Sequence, residues 1–387
     1  MTRLAQRLQG IPPTIFSEMS ALATRTGAVN LGQGFPDADG PAAAIRRAQR
    51  ALESGENQYA PGLGRPELRA AIARHQRHHY GIELDPATEV VVTTGATEAI
   101  AAAILGLVDP GDEVVLLEPF YDSYVAVLQM AGAVRRPVTL RAPDFRLDPA
   151  ALAAAVTPRT RFLLLNTPHN PTGTVLTRAE LQAVADVAIA HDLVVITDEV
   201  YEHLVFDTEH VPISTLPGMA GRTLTISSVG KSYSFTGWKV GWATGPAELV
   251  DAVLSAKQWL TFTSAGPLQT AVATALDEED AWPAGLAADL QGRRDLLCDG
   301  LAAAGLPARL PEGTYFATTD VRHLGYPDGR AFCLALPERA GVVAIPLQGF
   351  HDDAEAGRHL VRWAFCKDRA VIEEGLRRLA AADLALG

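Results

Sequence analysis

The sequence predicts an α/β protein: a large, mainly parallel sheet flanked by helices, followed by a smaller α+β part. Three observations carry this. Runs such as EVVVTTG (89–95), DEVVLLEP (112–119), RFLLLNTP (161–168), LVVITDE (193–199) and TLTISS (223–228) are continuously apolar rather than alternating, as strands covered on both faces are. Helical stretches separate several of them, the pattern of parallel crossover units. Polar residues gather just after the strands, where ligands bind in open parallel sheets.

In chain order, residues 1–28 read as a short helical lead with IFSEMSALATR as its periodic part. The stretch VNLGQGFPDADGP (29–41) is an irregular loop in which Gly32 and Gly34 bracket Gln33, so its backbone can approach a ligand closely. Residues 42–56 form an amphipathic helix. A glycine-rich loop carrying Tyr59 leads into a helix starting near Pro66. The 89–95 strand runs into a helix over 96–108. Asp148 with Pro149 marks a helix start at 149–156, and Thr177 with Glu180 has capping-box spacing for a helix over 178–191. From about 247 a long helical region runs past Trp282. Residues 283–387 then change order: a helix near 286–304, short strands in GTYFATTDV and VVAIPL, a strand in HLVRWAFC, and a final helix near 369–381.

Composition sets outer bounds. The 387 residues suffice for two or three domains. A formal net charge of −12 gives no basic footprint for nucleic acid. No apolar run reaches the ~18 residues of a membrane span, and the first residues lack the apolar core of a signal peptide, so a cytoplasmic location is expected. Cys298, Cys333 and Cys366 are widely spaced without a CxxC pair, which points to buried reduced thiols.

Only four of the chain's residues are lysines, Lys231, Lys239, Lys257 and Lys367, against 29 arginines. Two of the four lie in SSVGKSYSFTGWKVGW (227–242). A lysine kept where the chain otherwise writes arginine suggests chemistry that guanidinium cannot do, because an amine can lose its proton and condense with a carbonyl. The strand ends add Thr94-Gly95-Ala96-Thr97 opening a helix, a ready phosphate site, then NTPHNPTG (166–173), DEVY (198–201) and Ser228 ahead of Gly230-Lys231.

Asn170, Asp198, Tyr201, Ser228, Lys231 and Lys239 in this order, together with NLGQGFPD, NQYAPG, GATEAI, EPFYDSY, GTYF, AIPL and HLVRWAFCK, resemble the class I/II aminotransferases of pyridoxal-phosphate fold type I over essentially the whole chain. The nearest likeness is to the kynurenine/methionine aminotransferase-like branch and, within it, to N-succinyldiaminopimelate aminotransferases of actinobacteria. The resemblance implies a seven-stranded sheet in a large cofactor-binding domain (42–280) and a small domain (1–41 with 281–387). It implies pyridoxal 5'-phosphate held by Lys231 as an imine. Asp198 would pair with the pyridine nitrogen, Tyr201 and Asn170 with the ring oxygen, and Tyr121 would stack on the ring. The phosphate would sit on the Ala96 and Thr97 amides, the Thr97 and Ser228 hydroxyls and Lys239, where many relatives carry Arg. Tyr59 would reach the phosphate of a neighbouring protomer, making a homodimer with shared sites. Arg362 and the Gly34 backbone would hold the substrate carboxylate, with Asn170 nearby. His169 and Tyr315 are read as packing beside the site, Arg65 and Arg69 as solvated surface, and Gly349, Phe350 and His351 as a possible border of the side-chain pocket.

The implied activity is ping-pong transfer of an amino group from an amino acid, with glutamate as the expected donor, to a 2-oxo acid or related carbonyl acceptor. N-succinyl-2-amino-6-oxopimelate of lysine biosynthesis is the specific acceptor suggested. The competing expectations are a broad methionine, aromatic or kynurenine aminotransferase, a cysteine-conjugate β-lyase on the same scaffold, and a non-catalytic regulatory module.

Overall fold

The computed structural model describes residues 4–11 and 14–386. Its centre is a seven-stranded sheet. In spatial order the strands are Val90–Thr93, Gly241–Thr244, Thr223–Ser228, Val194–Asp198, Thr160–Asn166, Glu113–Glu118 and Val134–Thr139. All neighbours pair in parallel except Gly241–Thr244, which is antiparallel to both of its partners. Every residue of Val90–Thr93, Glu113–Glu118 and Thr223–Ser228 is buried, so the continuous apolar runs do mark strands covered on both faces.

Two of the seven strands were not visible as strand patterns. Val134–Thr139 has the sequence VRRPVT, with Val134 exposed and the next three residues half-buried. It is an edge strand, and charge and proline are what a protected edge carries. Gly241–Thr244 is four residues long and begins with glycine. A Cβ on Gly241 would lie 2.6 Å from the Gly95 carbonyl carbon, so only glycine lets this strand approach the Gly95–Leu107 helix.

The capping signals hold. Asp148 accepts from the Ala150 N–H at 2.9 Å, and Thr177 with Glu180 forms a complete capping box ahead of Arg178–Ala190. The helical region expected from 247 past 282 consists of three helices, Ala247–Lys257, Gly266–Glu278 and Trp282–Ala303. Proline stands in the first turn of the second and third, where it starts a helix but cannot continue one. In the first gap Phe262 takes a left-handed φ of 66°. The Lys257 ammonium binds the Phe262 and Gly62 carbonyls at 3.1 and 3.2 Å, which ties the gap to the Tyr59 loop.

The C-terminal part holds an antiparallel sheet ordered Ile345–Pro346, Leu360–Ala364, Phe316–Asp320. Val29–Asn30 pairs in parallel with Val342–Val343, so the N-terminal segment is stitched into this part. One apolar core runs continuously from residues of the large sheet, such as Leu163 and Val195, to Val361 and Trp363.

Candidate active site

The carboxyl ends of the parallel strands open into a cleft of 310 Å³ lined by Gly34, Ala96, Thr97, Tyr121, Asn170, Asp198, Tyr201, Ser228, Lys231, Lys239 and Arg362. Eleven of the twelve residues singled out from the sequence thus meet in one place, although they are scattered over more than 300 positions. The twelfth, Tyr59, lies outside the cleft with its side chain 82% exposed.

Asp198 ends its strand fully buried. Its Oδ2 accepts the Tyr124 hydroxyl at 2.6 Å and its Oδ1 the Val200 N–H at 3.3 Å. Burial raises its pKa to about 6, against the pull of the Tyr124 and Val200 hydrogen bonds and of Lys231. A carboxylate in this state gains by facing a protonated ring nitrogen, because the positive partner removes the desolvation cost. Asn166 ties the neighbouring strand end to it. The Asn166 amide donates to the Asp198 carbonyl at 2.9 Å, and its Oδ1 accepts from the Asn170 N–H at 2.8 Å.

Lys231 sits in the short helix Val229–Ser232 and reaches the cleft floor. Burial lowers its pKa to about 8, so a useful fraction of free amine exists near neutrality. Among the described residues its only hydrogen bond is to the Tyr315 oxygen at 2.9 Å, and Tyr315 in turn donates to the Gly34 carbonyl at 2.7 Å. Tyr315, expected to be packing, therefore touches the reactive amine. His169 does pack, fully buried with Nδ1 2.7 Å from the Thr172 hydroxyl. Tyr124 and Asn166 had not been singled out as site residues. The available signals were a second tyrosine in FYDSY and an asparagine closing a buried strand.

At the opposite end of the cleft, the helix Gly95–Leu107 starts without a side-chain cap, leaving N–H groups free for an anion. Gly95 has φ +72°, and a Cβ there would lie 3.1 Å from the Lys239 Nζ. Glycine thus serves both the turn and the space for the amine. Lys239 itself is left-handed, φ 53°, an uncommon state for a residue with a side chain.

Arg362 lies on Leu360–Ala364, 1% exposed. Nη1 donates to Asn170 Oδ1 and Nη2 to the Gly32 carbonyl, each at 3.0 Å. The guanidinium stacks 3.9 Å from the Phe316 ring centroid, and a Cβ on Gly34 would collide with that ring at 2.5 Å. Its Nε is buried and unbonded, and among the described residues it has no carboxylate partner. Burial lowers its pKa to about 10. Such a cation calls for an anionic ligand. Phe350, read as a pocket border, packs edge-on to Phe16 at 5.8 Å, and Phe16 lines the cleft. Arg65 and Arg69 are not free surface groups. Arg65 donates to the Gly266 carbonyl at 3.1 Å and Arg69 to the Pro86 carbonyl at 2.5 Å.

A buried carboxylate, an amine of lowered pKa, an anion cradle and an uncompensated arginine in one cleft define an enzyme that works on amino acids through pyridoxal phosphate. The chain belongs to the class I and II aminotransferases, whose family profile matches residues 26–379. It is 56% identical over 386 residues, 97% of both chains, to a Mycobacterium tuberculosis protein named "Probable N-succinyldiaminopimelate aminotransferase DapC". Over 374 residues, 96% of this chain and 97% of the relative, it is 39% identical to Escherichia coli methionine aminotransferase. The solved structure of N-succinyldiaminopimelate aminotransferase from M. tuberculosis superposes with a TM-score of 0.96 at 56% identity, covering 99% of this chain and 100% of that one. The fold is therefore that of the pyridoxal-phosphate aminotransferases, and the chain is an aminotransferase using that cofactor.

Proposed function

We propose that this aminotransferase takes its amino group from glutamate and delivers it to N-succinyl-2-amino-6-oxopimelate in lysine biosynthesis, and that the twelve residues above act as the resemblance implies. The observation that carries the site reading is Arg362, a buried guanidinium without a counter-ion among the described residues, in the same cleft as Lys231. An α-carboxylate docked on it brings the α-carbon within reach of the lysine amine. Bound pyridoxal phosphate supplies the electron sink that makes the α-proton labile. Asp198 keeps the positive charge of the ring nitrogen in place, held by Tyr124. Tyr201 and the Asn170 amide would hold the ring oxygen, and Tyr121 would cover the ring. The Ala96 and Thr97 N–H groups, the Thr97 and Ser228 hydroxyls and Lys239 take the phosphate. The Lys231 amine would hold the cofactor and move the α-proton, with Tyr315 fixing its position.

The same reading divides the chain into a cofactor-binding unit, 42–280, and a second unit from 1–41 and 281–387. It makes the protein a cytoplasmic homodimer. In support, Tyr59 (82%), Trp259 (84%) and Phe262 (55%) are exposed, with Tyr59 edge-on to Phe262 at 5.4 Å. This is an aromatic surface suited to a second copy whose cleft Tyr59 would complete. No described helix is long and apolar enough to cross a membrane.

The 56% likeness supports the lysine-pathway acceptor. One observation favours a broader aminotransferase of methionine and aromatic amino acids. The cations lining the cleft, among the described residues, are Lys231, Lys239 and Arg362, while Phe16, Phe35, Tyr121 and Phe316 form much of its wall. A distal carboxylate then depends on neutral donors or on the partner protomer. Titrating the cofactor-loaded enzyme with single donors and no acceptor separates the readings by absorbance. Loss of the visible band with glutamate and N-succinyldiaminopimelate alone supports the narrow assignment. Equal conversion by methionine, phenylalanine or kynurenine overturns it.

A further inference from the structure

Strand residues alternate between faces. Ser228 lines the cleft, while the preceding Ser227 points away and donates to Glu202. On that far side the helix Pro66–Tyr80 ends with three histidines, His75, His78 and His79. His75 and His79 are one helical turn apart and share a face. His203, from the turn that follows Asp198, comes up against both. The imidazole centroids form a nearly equilateral triangle, 4.5 Å for His75–His79, 4.7 Å for His79–His203 and 4.8 Å for His75–His203. One ring nitrogen of each lies within 4.8 Å of the others, and the two Nε2 atoms of His75 and His203 are 2.8 Å apart. His79 Nε2 lies 3.0 Å from Asp280 Oδ1, and the buried His75 Nδ1 has no hydrogen-bond partner among the described residues.

We propose that His75, His79 and His203 bind one divalent transition-metal ion of the zinc, nickel or copper class, with Asp280 orienting His79 from outside the coordination shell. Imidazole is the ligand these ions share, and a carboxylate behind a ligating histidine is the usual support. Two nitrogens on one tetrahedral ion with ~2.0 Å bonds stand about 3.3 Å apart, so His75 and His203 need separate by only about half an ångström. Glu202, which accepts from the Ser227 hydroxyl, is buried next to His203 in the chain. Three protein ligands leave one position for water. The site is structural. It clamps the Pro66–Tyr80 helix to the turn that carries Asp198 and Tyr201, and it is independent of which substrate the cleft takes.

The test is calorimetric titration of untagged, cofactor-loaded protein with Zn²⁺, followed by Co²⁺ absorbance. One Zn²⁺ per protomer at micromolar affinity or tighter is expected, with intense tetrahedral Co²⁺ bands. His203→Ala and the partly exposed His79→Ala should each weaken binding by more than about 10-fold and Asp280→Asn by about 10-fold. His78→Ala should leave it within a few-fold. Zn²⁺ should raise the melting temperature of the wild type and not of His79→Ala, which separates lost binding from lost folding. The proposal is overturned by no stoichiometric binding, by binding that survives His203→Ala, or by binding lost with His78→Ala while His203→Ala retains it.

Discussion

The two ends of the cleft are built in opposite ways. At the Asp198 end the groups are mostly buried side chains, already held by hydrogen bonds: Tyr124 to Asp198, Asn166 to the Asp198 carbonyl, and half-buried Asn170 to Arg362. At the Gly95 end the donors are mostly backbone N–H groups of an uncapped helix, with Thr97 and Lys239 exposed to solvent. Chemistry at a ring nitrogen and an α-carbon needs charges held in a low dielectric at fixed positions. Anchoring a phosphate needs only several weak donors converging on one point. Loss of one group should therefore be costly at the first end and mild at the second.

The largest effect expected is for Lys231→Ala. Removing the amine that binds the cofactor and moves the proton should lower kcat by on the order of 10⁴-fold or more, measured in single-turnover half-reactions. Arg362→Lys keeps the charge but loses the planar fork. It should lower kcat/KM by roughly 10²-fold, mostly through KM, and equal losses for donors with and without a free α-carboxylate would contradict the assigned role. Tyr124→Phe removes a hydrogen bond to a charged acceptor, about 1.5–3 kcal/mol, or roughly 10- to 100-fold in kcat/KM. That bond lowers the Asp198 pKa, so its loss raises the pKa. The ionised form is then lost at higher pH, and the acid limb of the pH–rate profile should move upward. An unmoved limb would mean Tyr124 is only packing. Lys239→Ala should be mildest, weakening cofactor affinity about 2- to 5-fold, since an exposed ammonium contributes on the order of 1 kcal/mol or less. A loss as large as that of Tyr124→Phe would erase the contrast between the two ends.

The rarity of lysine was an informative signal because each lysine has a particular place. Lys231 and Lys239 line the cleft. Lys257, 1% exposed, ties two loops through carbonyls, and Lys367 bonds Asp37 at 2.9 Å and the Phe35 carbonyl. The argument located the reactive amine, yet it did not distinguish Lys257, whose burial serves structure alone.

The sequence by itself determined the class of fold and nearly the whole cleft. Buried parallel strands need continuous apolar runs, and groups such as Thr97, Asn170, Asp198 and Lys231 follow those runs closely, so they are locally legible; Gly34 and Arg362 were reached only through the likeness to a known family. The edge strand Val134–Thr139 and the breaks at 258–265 and 279–281 escaped it, because an edge carries charge and proline and a helical period continues across a short gap. Tertiary structure alone decided that Tyr124 bonds Asp198, that Tyr315 meets Lys231, and that His203 closes on His75 and His79. Each of these contacts joins segments more than 70 residues apart, where no local pattern records which side chain faces which.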